Sequence, residues 1–162
     1  MNEVISRGAP RAVADLSEGL ILASVEIGVP PERVFRALAS EELTRWWGSA
    51  DTYRVTRWTG DFRVGGAWRS EGVGADGKPF SVAGEFLEVD PPRKLVQTWR
   101  ADWDGGATTT ITYRLDPTAT GTRLTLRHEG FAGRPESCDG HSEGWERVFG
   151  WLATYFTETQ RS

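Results

Sequence analysis

The segment HSEGWERVFGWLATYF (residues 141–156) is one long apolar helix that closes a chain of strand-like sequence. From residue 53 to residue 129, short alternating segments are broken only by Gly, Pro and Asp-Gly turns, which is typical of strands. In the closing segment and just before it, apolar residues recur at steps of three and four and predict a single apolar helix stripe: Cys138, His141, Trp145, Val148, Leu152 and Phe156. A lone sheet and a lone helix must bury these faces against each other, and we expect a cavity between them.

The strands of the sheet are predicted to follow one another at short intervals. Connections of this length favour antiparallel neighbours. Asp76-Gly77 and residues 104–106 supply the positive φ angles that hairpin turns need. The predicted strands span 53–58, 66–71, 80–90, 94–103, 107–116 and 121–129.

Upstream of the sheet, the sequence predicts one further strand and two short helices. Apolar residues alternate over 20–27, which indicates a strand with one buried face. Pro30 and Pro31 favour a helix over 31–39. Ser40 is expected to cap a second helix over 41–47, which carries the Trp46-Trp47 pair.

Length and composition indicate one domain. The chain has 162 residues, a net charge of −4 and no basic run, so we expect no nucleic-acid partner. Residues 1–19 are polar and unpatterned and predict a flexible tail, which leaves residues 20–162 as the domain. No signal peptide or membrane span is predicted, and the single cysteine, Cys138, fits a reducing compartment, so we expect a cytoplasmic protein.

Several short phrases carry a family resemblance across about residues 20–156. They are VPPERVF (29–35), Trp46-Trp47, DFRVGG (61–66), GEFLEV (84–89) leading into PPRKL (91–95), and His141 with Gly144-Trp145. Their order resembles the helix-grip fold of the START-like superfamily, which includes birch-pollen-allergen-like proteins and polyketide cyclases. The residues of these segments are similar to those of the activator-of-heat-shock-protein-90-ATPase homologue family. The resemblance implies an α+β fold in which a curved antiparallel sheet wraps around the long C-terminal helix.

Two strings that resemble catalytic motifs lack the required context. Residues 140–144 fit the nucleophile elbow G-x-S-x-G, but no strand precedes them and no His or Asp follows Ser142. Residues 72–77 fit the dinucleotide fingerprint G-x-G-x-x-G, but a strand follows them where that motif needs a helix. We designate no catalytic residue and expect no cofactor.

A metal site is also weighed and not predicted. Cys138, His141, His128 and Glu129 would converge if the last helix started beside the end of the last strand. One Cys-x-x-His pair is half of what a structural zinc site uses, however. We expect Cys138 to pack in the core and His141 to form hydrogen bonds near the helix start.

The strand charges Arg63, Arg69, Glu85 and Arg100 are left unassigned to either face. A shift of one residue in strand phase exchanges the two faces of a strand. Any of these charges that pointed inward would need a partner, because an isolated buried charge is costly.

We interpret the chain as a module that binds an apolar or aromatic small molecule between sheet and helix, as a monomer or a homodimer. The ligand itself is not predicted. Aromatic rings would supply apolar area, and Tyr113 and the two histidines would supply orienting polar contacts. The predicted ligand-binding residues are Trp46, Trp47, Trp68, Trp99, Tyr113, His128, His141 and Trp145.

Two alternatives stay open. One is an enzyme on the same fold, such as a cyclase, dehydratase or hydrolase, with a cavity histidine as general base. Its sign would be a polar pair inside the pocket, either His128 with Glu129 or His141 with Asp139. The other is a chaperone-regulating interaction module, whose signs would be a filled interior and an exposed apolar patch.

Overall fold

Eight antiparallel strands form one continuous sheet in the computed structural model, which describes residues 8–161. The order across the sheet is β1-β2-β8-β7-β6-β5-β4-β3, so that β1 and β3 are its edges. Only the β2–β8 neighbours are distant in sequence, and they pair along their full length, from Leu20 opposite Glu129 to Ile27 opposite Thr122. The strands are β1 (Arg11–Asp15), β2 (Leu20–Ile27), β3 (Tyr53–Gly60), β4 (Ala67–Gly74), β5 (Pro79–Asp90), β6 (Lys94–Ala101), β7 (Thr109–Pro117) and β8 (Thr122–Glu129).

Three helical segments accompany the sheet: α1 (Pro31–Leu38), a 3₁₀ helix (Glu41–Arg45) and α2 (Pro135–Arg161). Pro31 begins α1 as predicted, and the Ser40 hydroxyl accepts a 3.2 Å hydrogen bond from the Glu42 backbone N–H at the start of the 3₁₀ helix. Predicted as a helix over 41–47, this second element ends earlier, at Arg45. The last helix begins six residues before the predicted residue 141, because Pro135 opens it and Glu136 suits the positive first turn.

The C-terminal helix lies on the concave side of the sheet, and its backbone approaches β1 and β2 closely. The predicted α+β helix-grip architecture is therefore confirmed. Of the predicted helix stripe, five side chains are buried and His141 is half-buried; the buried five are Cys138, Trp145, Val148, Leu152 and Phe156.

One polar network, centred on the Glu42 carboxylate, connects the three helical segments to each other. Arg33 of α1 forms a two-pronged ion pair with Glu42 of the 3₁₀ helix, and Tyr155 of α2 donates to the same carboxylate at 2.6 Å. These hydrogen bonds from Arg33 and Tyr155 outweigh the effect of burial and lower the pKa of Glu42.

Strand β1 corrects the prediction of a flexible tail over residues 1–19. Residues 11–15 pair with β2 and extend the sheet by one strand. The turn between them is fixed by Asp15, whose carboxylate accepts the backbone N–H groups of Ser17 and Glu18 at 3.1 Å, and by Gly19 at φ +70°. Residues 1–7, which belong to the same predicted tail, lie outside the described residues.

A β-bulge shifts the phase of β3 between Val55 and Arg57. Val55 and Trp58 are consequently both buried although they are three residues apart, which strict alternation does not allow. A second irregularity lies on β5 between Phe86 and Glu88. The bulges decide which side chains of β3 and β5 face the helix.

Candidate functional site

A cavity of about 700 Å³ lies between strands β3–β7 and the first half of α2. Aromatic residues are the most frequent type in its walls, and six of the chain's eight tryptophans line it: Trp47, Trp58, Trp68, Trp99, Trp103 and Trp145. Because α2 packs closest to β1 and β2, the opposite half of the sheet is left uncovered on its concave side. The position of α2 near one edge of the sheet therefore leaves the space that forms the cavity.

Trp99 of β6 is at the centre of the tryptophan cluster. Its ring centroid is 5.5 Å from that of Trp145, 6.0 Å from that of Trp68 and 6.4 Å from that of Trp47. The Trp68 indole is held by a 3.0 Å hydrogen bond from its N–H to the Thr98 carbonyl oxygen. The cluster therefore presents indole faces and edges whose orientation is fixed by packing.

His141 borders the cavity from α2. Its Nδ1 lies 2.9 Å from the Ser137 carbonyl oxygen, so Nδ1 carries the proton and Nε2 accepts a 3.3 Å hydrogen bond from the Trp99 indole N–H. Burial lowers the pKa of His141, although the nearby Asp104 carboxylate opposes the shift. The imidazole is accordingly neutral near pH 7.

An ion pair anchors the β6–β7 loop beside His141. Asp104 accepts hydrogen bonds from Arg134 at 2.7 Å and from the Ser137 hydroxyl at 2.9 Å. Burial would raise the pKa of Asp104, but these two hydrogen bonds outweigh it and lower that pKa. The loop that carries the exposed Trp103 is thus tied to the start of α2, and the Trp103 ring lies parallel to that of His141 with centroids 6.1 Å apart.

His128, a predicted ligand contact, lies behind the cavity wall and does not line it. It is fully buried, and both ring nitrogens are occupied: Nδ1 accepts from the Trp145 indole N–H at 2.9 Å, and Nε2 faces the Thr109 hydroxyl at 2.7 Å. Burial lowers the pKa of His128 well below its ordinary value.

Trp46 is likewise absent from the lining. Its indole N–H donates a 2.9 Å hydrogen bond to the Ala37 carbonyl oxygen of α1, and the ring is buried. The other six predicted residues, Trp47, Trp68, Trp99, Tyr113, His141 and Trp145, line the cavity, and their role in binding stays a prediction.

Sequence reasoning missed several lining residues. Trp58 and Val55 were hidden by the bulge in β3, and Gln97 was overlooked because Gln is a residue type that mostly lies on the surface. Tyr53 and Phe80 pack edge to face near the mouth with ring centroids 5.8 Å apart. The alternation of Leu95, Gln97 and Trp99 on β6 would have indicated the inward face of that strand.

The strand charges that the sequence left open all point to solvent. Arg63, Arg69, Glu85 and Arg100 are exposed, and Arg69 pairs with Glu71 on the outer face at 3.0 Å. The charged groups that border the cavity are the exposed Glu136 and Arg147 with the half-buried Asp104.

The two catalytic-looking strings have the structures that their context favoured. Ser142 lies inside α2, seven residues after its start, with no strand leading into it, and it does not line the cavity. Residues 72–77 form the end of β4 and the turn to β5, where Gly77 has φ +80°. No three His, Cys, Asp or Glu side chains converge as a metal site within residues 8–161.

A curved antiparallel sheet that holds one long helix over an aromatic cavity defines a START-like protein of the helix-grip type. The chain belongs to the Activator of Hsp90 ATPase homolog 1-like protein family, whose model matches residues 28–157. Family and fold together support a module of the ligand-binding or the Hsp90-ATPase-activator type. Neither helix of the described chain is long and apolar enough to cross a lipid bilayer.

Solved structures of similar proteins agree with this placement. The AHSA1 protein from Silicibacter pomeroyi is 28% identical, with a TM-score of 0.74 over 86% of this chain and 99% of that one. A protein from Chromobacterium violaceum is 29% identical, with a TM-score of 0.72 over 85% and 96% of the two chains. A protein from Arthrobacter aurescens shares the fold at 20% identity, with a TM-score of 0.77 over 96% and 93%. No curated protein matches the sequence.

Proposed function

We propose that the protein binds an apolar or aromatic small molecule in the cavity between the sheet and α2. The observation that carries the proposal is the cavity itself, about 700 Å³ with six tryptophans in its walls. Ligand sites in proteins commonly measure about 300–1,000 Å³, with apolar walls and a few polar groups. A flat aromatic ligand would find ring faces on several sides.

The open interior favours this function over that of an interaction module, which was expected to have a filled one. Exposed apolar side chains do occur, as with Val13 and Leu22, which lie opposite each other on the β1–β2 hairpin. Their number is ordinary for a protein surface. These exposed side chains therefore support an interaction module less strongly than the cavity supports ligand binding.

Binding is also favoured over catalysis. The polar pairs that would mark a general base were His128 with Glu129 and His141 with Asp139. Neither Glu129 nor Asp139 lines the cavity, and His128 is engaged on both ring nitrogens. His141 alone borders it, with Nε2 occupied by the Trp99 N–H.

The test uses the tryptophans as reporters. A panel of fatty acids, sterols, flavonoids and polycyclic aromatics would be titrated while tryptophan fluorescence and melting temperature are followed. A ligand that binds only the folded state stabilises it by about 2.7 kcal/mol at one hundred times its dissociation constant, so the two signals should share one concentration dependence. Trp99→Phe should reduce the fluorescence change. A flat response in both measurements across the panel would overturn the proposal.

A further inference from the structure

Within the described residues, three buried polar side chains of the cavity lining have no hydrogen-bond partner: Ser70 on β4, Gln97 on β6 and Tyr113 on β7. Gln97 on β6 is 6% exposed and Tyr113 on β7 is 3% exposed, and both line the cavity. Within residues 8–161, no hydrogen bond reaches the Gln97 amide or the Tyr113 hydroxyl. Two polar side chains buried elsewhere in the core do have partners: Thr122 donates to the Val29 carbonyl oxygen at 2.8 Å, and His128 is bonded through both nitrogens.

The free polar groups face the cavity space. No fully enclosed side-chain nitrogen or oxygen of the described residues lacks a hydrogen-bond partner. The unpartnered atoms of Gln97 and Tyr113 must therefore touch open space, and the space beside both residues is the cavity. A polar group held this way costs stability unless a ligand or water satisfies it.

Gln97 and Tyr113 are close enough to serve one ligand group. Gln97 pairs with Ile111, and Tyr113 follows two positions later on the same inward face of β7. Such diagonal cross-strand neighbours lie about 7–8 Å apart, within reach of long side chains. A single oxygen between them would meet a phenolic hydroxyl on one side and a carboxamide on the other.

The chemistry of this pair selects a neutral group. Hydroxyl and carboxamide both donate and accept, and neither carries charge. Burial raises the pKa of Tyr113, so its hydroxyl keeps its proton. The cation that borders the cavity, Arg147, is exposed at the mouth and contacts the Tyr53 hydroxyl at 3.4 Å. A carboxylate placed beside Gln97 and Tyr113 would have no counter-charge there.

The rings beside the pair select the rest of the ligand. Trp145 lies edge to face with Tyr113 at a centroid distance of 6.1 Å and continues into Trp99 at 5.5 Å. An aromatic body against these indoles would carry its polar substituent toward the sheet. The geometry points to recognition of an uncharged aromatic alcohol or ketone, whose oxygen is received between Gln97 and Tyr113; this inference rests on the binding function proposed above.

The experiment compares three ligands that differ in one substituent: naphthalene, 2-naphthol and 2-naphthoate, each titrated at pH 7 by calorimetry into the intact protein. We expect 2-naphthol to bind about three- to tenfold more tightly than naphthalene, the range that one or two hydrogen bonds supply. We expect 2-naphthoate to bind more weakly than 2-naphthol, because its charge would be buried without a partner.

Two substitutions test the assignment of the site. Tyr113→Phe and Gln97→Leu each remove the polar group and keep the volume close to that of the original side chain. Each should reduce the preference for 2-naphthol over naphthalene without weakening naphthalene. Neither should lower the melting temperature of the free protein, because no protein hydrogen bond is lost. Ser70→Ala is the matched control: it removes a cavity hydroxyl on β4, two strands away from Gln97, and should preserve the preference.

Three results would overturn the inference. Equal binding of naphthalene and 2-naphthol by the wild-type protein would mean that the pair holds water only, and the proposed function would survive. Tightest binding of 2-naphthoate would mean that charge is recognised, again with the proposed function intact. Absence of binding by all three ligands, together with a flat response to the wider panel, would remove both the inference and the proposed function.

Discussion

Trp145 on α2 donates its indole N–H to Nδ1 of His128 on β8 across 2.9 Å. Because Nδ1 accepts, Nε2 carries the proton and donates to the Thr109 hydroxyl at 2.7 Å, which in turn donates to the Trp99 carbonyl oxygen at 3.2 Å. In this series of hydrogen bonds, each donor has one acceptor when the neutral imidazole of His128 carries its proton on Nε2. His128 thus joins the closing helix to two strands from inside the core.

Replacement of His128 by leucine should lower the free energy of unfolding by about 1–3 kcal/mol, because the buried Trp145 N–H loses its acceptor. Urea denaturation at pH 7.5 measures the change. Thr112→Val, on the outer face of β7, is the control and should stay within about 0.5 kcal/mol of wild type. Wild-type stability of the His128→Leu variant would show that the hydrogen-bonded chain contributes nothing.

Stability should also fall as pH is lowered below about 6.5. His128 and His141 are the chain's two histidines, and burial lowers the pKa of both in the folded state. Below the unfolded pKa, the unfolded chain binds protons that the folded chain does not, so stability is fully present above pH 6.5 and is lost with acidification. Each histidine can contribute up to about 1.4 kcal/mol per pH unit in that window. Urea denaturation at pH 7.5, 6.5 and 5.5 gives the slope.

Histidine variants test whether His128 and His141 cause this pH dependence of stability. His141→Gln removes one titrating group and should reduce the dependence, and the double variant with His128→Leu should be nearly flat from pH 7.5 to 5.5. The carboxylates with lowered pKa values, such as Asp104, lose their stabilising charge only at lower pH. An unchanged slope in the double variant would contradict the assignment.

The sequence predicted the sheet and closing helix because their patterns are long and periodic. Strand β8 alternates without interruption, and the helix stripe persists from Cys138 to Phe156, so the fold class followed. Strand β1 escaped detection because it has five residues and little apolar contrast; Asp15 and Gly19, which fix its turn, were the available signal.

The site was less predictable because its geometry depends on where the sheet, the 3₁₀ helix and α2 meet. Aromatic content indicated an indole-lined interior, yet the same side-chain type occurs in the core at Trp46 and in the cavity wall at Trp47. Their separation depends on where the 3₁₀ helix ends, which no local pattern encodes. Gln97 on β6 and His128 on β8 show the reverse case: both are buried polar side chains, and only the partners across the core decide which one is free.

Ending the chain after Gly140 should abolish folding. The truncation removes the part of α2 that buries five apolar side chains: Trp145, Val148, Phe149, Leu152 and Phe156. Loss of one large buried aromatic costs about 3–5 kcal/mol, against a total domain stability of about 5–15 kcal/mol. Circular dichroism should show no cooperative thermal transition. A chain ended after Thr157 keeps all five side chains and should still melt cooperatively, and a cooperative transition in the shorter chain would show that α2 is peripheral.

Gly144 should control access to the cavity, because a side chain at this position on α2 would project into it. A Cβ there would meet only the Tyr53 hydroxyl, at 3.9 Å, so Gly144→Leu can be accommodated by filling cavity space. We expect it to weaken binding of any cavity ligand by at least about tenfold.

Gly150→Leu is the matched control, since Gly150 is also a helix glycine with open space around its Cβ but does not line the cavity. Both changes replace a helix glycine and should raise stability by about 0.5–1 kcal/mol. Calorimetric titration and thermal melting separate the two effects; equal losses of binding in both variants, or none in Gly144→Leu, would place the ligand elsewhere.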